Sequence, residues 1–262
     1  NFNNFYNFYL IKDYFIILLN MDKYYYTDTI YLQDTNIYYD KDNIKKKVQN
    51  YNWHKILSEY GWEKLNLKWI KKLNNLIDFV PRNSLFGVLD CGGEGDCLFH
   101  CISYALKSYD VFNINLNYEV NDLRQIACDN IDIEKYNEII DIYKILKDAD
   151  DFDEDWDPYE IDFEKFKEIL LEGGNNYWGD NIIINILKEK LNINIIILSS
   201  NNITNQHNYY PLLYDFDEKL KTIILLYEDN MHFKLVGYFD DYMITLFKNV
   251  PKEILKLIKY LR

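Results

Sequence analysis

Apolar positions recur at three- and four-residue spacing over Val120 to Cys128 and over Ile133 to Leu146, which predicts two amphipathic helices. Phe163 to Leu171 repeats the pattern and stops at Gly173-Gly174. Ile182 to Leu191 predicts another helix, with Asp180 or Asn181 as its cap. Asn194 to Leu198 and Thr222 to Tyr227 are short and wholly apolar, as strands buried on both faces are. His232 to Tyr238 predicts a third strand. Pro251 to Arg262 reads as an amphipathic helix with Pro251 at its first position and Ile254, Leu255, Leu257, Ile258 and Leu261 apolar. Helices precede most of the buried strands. That order predicts an α+β class, or a three-layer α-β-α arrangement around a small central sheet flanked by helices.

The first part of the chain is less periodic. The apolar run in residues 1–20 is broken by Lys12 and Asp13 and is too short to span a bilayer. It lacks a basic n-region and a small-residue cleavage site, so no signal peptide is expected. Met21 reads as an alternative start, which makes 1–20 either an upstream leader or an aromatic segment packed on the domain. Residues 21–50 are tyrosine-rich and polar. Ile56, Tyr60, Trp62, Leu65, Leu67, Ile70, Leu73 and Ile77 then recur at near-helical spacing, with a break at Gly61 and an end at Pro81. Phe86 to Asp90 predicts a short strand. The expected organisation is an irregular N-terminal extension (1–43), a helical extension (44–80), a catalytic domain (81–240) and a C-terminal segment with an amphipathic helix (241–262). Core packing and substrate binding remain equal readings for the helical extension.

Composition narrows the function classes. Hydrophobic residues make up 48% of the 262, enough for a sizeable core. The net charge of -13 argues against a nucleic-acid partner and is compatible with a basic protein partner. No membrane association is expected. The acidic run Lys147 to Glu164 is interleaved with Phe152, Trp156 and Tyr159. A solvated loop is the preferred reading there, and an acidic docking face the second. Three of the four cysteines, Cys91, Cys97 and Cys101, lie too close together for a disulfide framework, which fits a reducing intracellular, cytoplasmic compartment. Cys97, His100 and Cys101 lack zinc-knuckle spacing and a second Cys/His pair. No metal and no cofactor are expected.

The chemistry concentrates in the stretch Gly93-Glu94-Gly95-Asp96-Cys97. A glycine-rich loop runs into an apolar helical pattern, and Asp96 is a good N-cap. Cys97 then sits in the first turn, where unpaired N–H groups and the helix dipole favour thiolate. The glycines allow a tight turn whose N–H groups can converge on an oxyanion. A thiolate nucleophile needs a base within reach. Of the four histidines, His54 lies in the N-terminal helical segment, His100 near Cys97, and His207 in a polar loop. His232 opens a predicted strand behind Glu228-Asp229-Asn230-Met231 and is the preferred base.

Gly95-Asp96-Cys97-Leu98-Phe99-His100 resembles the catalytic-cysteine block of the ovarian-tumour (OTU) family of cysteine deubiquitinases, usually Asp-Gly-Asp/Asn-Cys-Leu-Phe-Arg. Tyr177-Trp178-Gly179-Asp180 with the following helix and apolar strand resembles that family's Trp-Gly-Gly segment. Met231-His232-Phe233 resembles its final His-Tyr/Phe strand. The three blocks occur in family order across residues 85–240. The composition further resembles a copy from a virus or an AT-rich eukaryote.

The resemblance implies a papain-type cysteine protease fold. It implies hydrolysis of the (iso)peptide bond after the ubiquitin C-terminal Gly-Gly through a thioester. Cys97 would be the nucleophile and His232 the general base. Glu94 would take the family's acidic position, and the backbone N–H groups of Glu94, Gly95, Asp96 and Cys97 would meet the oxyanion. Trp178 and Gly179 would line a groove for the Gly-Gly tail. The implied partner is ubiquitin or polyubiquitin, with ubiquitin-like modifiers as further candidates, in the host cytoplasm if the source is viral. Two positions depart from the family. Glu94 replaces Asp, and Lys234 stands where Asn or Asp orients the histidine. A cation cannot accept the imidazole N–H. Asp90, Glu94, Asp229 or Asn230 substitutes as acceptor, or the pair works as a dyad. The alternative is a catalytically impaired ubiquitin-binding pseudoenzyme.

Overall fold

The computed structural model describes residues 23–42, 44–77, 84–109, 118–152, 154–199, 210–213, 216–228 and 231–261. The expectations for residues 1–20, Met21, Pro81, His207, Asp229 and Asn230 lie outside the described residues.

Among the described residues, the extension expected to be irregular is instead part of a β-meander. Strands β1 (Tyr24–Tyr25), β2 (Ile30–Gln33), β3 (Asn36–Lys41) and β4 (Ile44–Lys47) pair antiparallel in sequence order. Ile30, Leu32 and Ile37 are buried, so a hydrophobic face drives the pairing. The β2–β3 turn uses Asp34 and Thr35, both at positive φ (48° and 61°), the backbone of a tight hairpin without the usual glycine. The Ile37 N–H donates to the Asp241 carbonyl at 3.1 Å, and Lys47 pairs with the Asp241 carboxylate at 2.8 Å. Both contacts fasten the meander to the rest of the fold.

Residues 44–80 are not one helical extension either. Besides β4 they form α1 (Trp53–Ile56), a 3-10 turn (Leu57–Tyr60), β5 (Trp62–Lys64) and α2 (Leu67–Leu76). Gly61, at φ +89°, ends the turn in a left-handed conformation and releases the chain into β5. Trp62 is buried because it is a strand residue, paired with Leu89 of β6 (Phe86–Leu89). The helical spacing of Ile56, Tyr60 and Trp62 was therefore coincidental across two element types.

The central region follows the expected periodicities. Its helices are α3 (Cys97–Tyr109), α4 (Val120–Asp129), α5 (Ile133–Asp148), α6 (Phe163–Glu172) and α7 (Asn181–Leu191). Strands β7 (Ile193–Ser199), β8 (Tyr210–Leu213), β9 (Lys221–Glu228), β10 (His232–Asp240), β11 (Tyr242–Ile244) and β12 (Leu246–Phe247) precede the final helix α8 (Lys252–Leu261). The main sheet runs β5-β6-β10-β9-β7-β8, with β11 on β10 and β12 on β9. β7 and β9 are parallel and the other pairs antiparallel.

Alternation along β9 divides the core. Ile223 and Leu225 face a layer containing Leu98, Phe99, Leu170 and Ile183, whereas Ile224 and Leu226 face Trp69, Leu73, Ile254 and Leu257. Helices thus cover both faces, which is the expected α+β, α-β-α arrangement. The second layer draws on α2 and α8, and the sheet takes strands from both sides of residues 81–240. For α2, the core-packing reading applies. Among the described residues, no helix is long and apolar enough to cross a membrane.

Candidate active site

Cys97 opens α3 directly beneath β10. Its sulfur accepts the Phe233 N–H at 3.5 Å, and Phe233 is the residue after His232. One turn on, the Cys101 thiol donates to the Phe233 carbonyl at 3.5 Å. Two cysteines on one helix face therefore grip a single residue of β10. The structure brings the start of α3 and the start of β10 together as the sequence predicts.

The histidine has a carboxylate partner. His232 Nε2 lies 3.1 Å from Asp90 Oδ1. The antiparallel register pairs Leu235 with Leu89, so Asp90 follows as the residue across from Lys234. Asp90 lies just past the end of β6, beside the histidine. Lys234 turns instead to Glu228, with Nζ 2.8 Å from Oε2. Burial opposes the Lys234 charge, but the Glu228 carboxylate outweighs it and the ammonium is held above its usual range. Of the other candidate acceptors, Glu94 is exposed and has no side-chain hydrogen bond among the described residues.

Burial pushes the Cys97 thiol up from the ordinary value, and the Asp90 charge adds to this. N–H groups of Phe233, Leu98 and Cys97 pull the other way without prevailing. This corrects the expectation that the helix start favours a thiolate: with Cys97 buried, desolvation wins. The oxyanion loop needs a correction too. The Asp96 N–H donates to the Gly93 carbonyl at 3.1 Å and is not free for an oxyanion. The N–H groups of Glu94, Gly95 and Cys97 remain. Glu94 at φ +57° and Gly95 at φ +85° place two successive left-handed residues in the turn. The Asp96 carbonyl accepts the His100 N–H at 2.9 Å, as an N-cap residue's does, while its carboxylate is directed away, to Arg124 and Gly174.

A cavity of about 540 Å³ is lined by Cys97, Glu154, Trp178, Gly179, Met231 and Phe233 among others. Trp178 and Gly179 are both in its wall. Gly179 is demanded by packing, since a Cβ there would lie 2.4 Å from Leu98 Cδ2. Asp180 caps α7, accepting the Ile182 and Ile183 N–H groups at 2.9 and 3.0 Å, and takes the Tyr143 hydroxyl at 2.5 Å.

The acidic run proves to be anchored. Phe152 and Trp156 pack edge-on at 5.0 Å, and Trp156 meets Tyr143 and Phe166. Tyr159 stays exposed. The run delivers Glu154 to the cavity, where Oε1 accepts the Trp178 N–H at 3.1 Å. Burial raises the Glu154 carboxyl to about 7. Sequence reasoning missed Glu154, because acid-rich composition hides one cavity-lining carboxylate among many.

The remaining histidines fall elsewhere. His54 packs beside Trp53, and the His100 ring lies against Gly92. Among the described residues, no group of three or more His, Cys, Asp or Glu side chains could hold a metal ion.

Cys97 at a helix start, the His232–Asp90 pair beside it and a cavity lined in part by Cys97 make up the candidate site. The sequence model of the OTU-like cysteine protease family matches residues 92–233, and the chain belongs to that family. Solved structures with similar folds include an OTU deubiquitinase from Wolbachia pipientis wMel bound to ubiquitin, at 16% identity over 59% of this chain and 96% of that one, TM-score 0.43. The Hazara virus OTU bound to ubiquitin aligns at 13% identity over 61% and 87%, TM-score 0.35. The OTUD1 OTU domain aligns at 16% identity over 59% and 86%, TM-score 0.39. No curated protein matches the chain.

Proposed function

We propose that the protein is a deubiquitinase that hydrolyses the (iso)peptide bond after the ubiquitin C-terminal Gly-Gly. The observation that carries this reading is the 3.1 Å His232–Asp90 contact, which supplies the orienter that Lys234 cannot. With Nε2–H donating to Asp90, Nδ1 is the nitrogen left to take the Cys97 proton. The thiolate attacks the glycine carbonyl, and the oxyanion meets N–H groups of the Glu94-Gly95 turn and of Cys97. His232 then protonates the leaving lysine amine, and the C–N bond breaks to leave a thioester. Water, deprotonated by His232, hydrolyses the thioester and restores the thiol. Cys97 is therefore the nucleophile, His232 the general base and acid, and Asp90 the positioning residue. Glu94 contributes backbone rather than a carboxylate.

A ubiquitin probe with a C-terminal electrophile tests this. It labels the wild type and leaves Cys97→Ala unlabelled. Labelling that survives that substitution overturns the assignment. The buried thiol, held up by desolvation, favours the second reading, a ubiquitin-binding pseudoenzyme. That reading gives ubiquitin binding without labelling or cleavage.

A further inference from the structure

Arg124 is 1% exposed, an unusual place for a guanidinium. On α4 it shares a stripe with Leu123, Ala127 and Cys128, so its charge points into the core. Two of its partners, Asp96 and Tyr177, adjoin the site residues. Nε donates to Asp96 Oδ1 at 2.8 Å, and a second nitrogen also bonds that oxygen. The remaining donors reach the Leu170 carbonyl at 2.9 Å and the Tyr177 carbonyl at 3.0 Å. The guanidinium carbon sits 4.2 Å from the Phe99 ring centre. Asp96 immediately precedes the nucleophile, and Tyr177 immediately precedes Trp178-Gly179.

The surrounding backbone is packed to match. The Gly174 N–H donates to Asp96 Oδ2 at 3.3 Å. A Cβ on Gly95 would lie 1.9 Å from the Gly174 carbonyl oxygen, so the turn and the segment after α6 touch backbone to backbone. A Cβ on Gly173 would lie 2.8 Å from Arg124 Nε. A planar guanidinium aims donors from three separate nitrogens in fixed directions and so spans three segments at once, whereas an ammonium offers its donors from a single nitrogen.

We propose that Arg124 is a positioning residue for catalysis. Through Asp96 it fixes the turn whose N–H groups receive the oxyanion, and through Tyr177 it sets that turn against the groove wall. The inference rests on the deubiquitinase reading for its kinetic consequence. Its structural content, a turn held rigid by Arg124, does not depend on that reading.

The experiment compares full-length wild type with Arg124→Lys, which keeps the charge and loses the fork, and with Arg124→Met. Turnover of ubiquitin carrying a C-terminal fluorogenic amide is measured beside amide hydrogen exchange of residues 93–97. For Arg124→Lys, kcat is expected to fall roughly 10- to 100-fold, as donors lose their aim. KM should change less than about threefold, because binding contacts shared by ground and transition states remain. Exchange in the turn should accelerate while the sheet strands keep their protection. Once Asp96→Ala is present, adding Arg124→Lys should cost less than about twofold, since the two act as one unit. Retained kcat with unchanged turn exchange in a folded Arg124→Lys protein overturns the inference, as does a rise in KM alone. Should Arg124→Met fail to fold, Arg124→Lys decides. A wild type without turnover sinks the functional reading, and the exchange comparison then decides the role of Arg124 by itself.

Discussion

His232 and Asp90 meet across two adjacent strands, Nε2 to Oδ1 at 3.1 Å, although 142 residues separate them in the chain. The carboxylate has moved one strand sideways from the family's usual position, now Lys234, and still reaches the ring. Asp90→Ala is expected to lower kcat roughly 100-fold, within the range of general acid–base contributions. Lys234→Ala should change kcat less than about threefold, since Lys234 is engaged with Glu228. Placing the acceptor back with Lys234→Asp in the Asp90→Ala background should recover part of the loss. Turnover assays on the four proteins check this, and a larger loss from Lys234→Ala than from Asp90→Ala contradicts it.

The Cys97 thiol is held above the ordinary value of 9.0 by burial. In His232→Ala, iodoacetamide alkylation of Cys97 should therefore show a pH midpoint above that of free cysteine. Mass spectrometry of the Cys97 peptide across a pH series measures it. A midpoint below 8 would show that the helix start alone activates the sulfur.

Two glycines two positions apart should answer substitution differently. Gly95→Ala puts a Cβ on the Gly174 carbonyl and strains a φ of +85°, with an expected cost of about 1–3 kcal/mol. Gly93→Ala meets nothing within 4 Å and should stay within about 0.5 kcal/mol of the wild type. Urea unfolding of the two variants separates them.

Glu154 carries a pH signature. Its carboxyl titrates near 7 in the folded protein against an ordinary value of 4.5. As pH rises through that interval the unfolded chain loses the proton first, so stability falls and then levels above about 7. Glu154→Gln removes this slope. Its Tm should match the wild type at pH 5 and exceed it at pH 8, as thermal unfolding at both values would reveal. A Tm advantage of equal size at both would contradict the assignment.

Much of this was legible in the sequence because the relevant signals are local. The periods of α4 to α7 and the apolar runs of β7 and β9 read correctly, and the Cys97, Trp178 and His232 blocks pointed to the family. The meander did not, because its turn uses Asp34-Thr35 in place of Asn-Gly and its polar faces mask the burial of Ile30, Leu32 and Ile37. Asp90 could be named a candidate but not chosen, because strand adjacency between β6 and β10 is long-range. Arg124 went unremarked, although an arginine on the same stripe as Ala127 and Cys128 was a readable signal. Desolvation of Cys97 was invisible for the same reason: burial is a property of the whole fold.

The family-matched span, residues 92–233, has a practical consequence when set against β5 and β6. A fragment cut at those boundaries discards Asp90 together with both strands. It also removes seven of the nine residues of β10, with β11 and β12, and takes α2 and α8 from one side of the sheet. The isolated segment would present an unpaired strand and a bare apolar layer to solvent, a template for aggregation. The stretch that carries the signature thus leans on strands and helices that lie outside it.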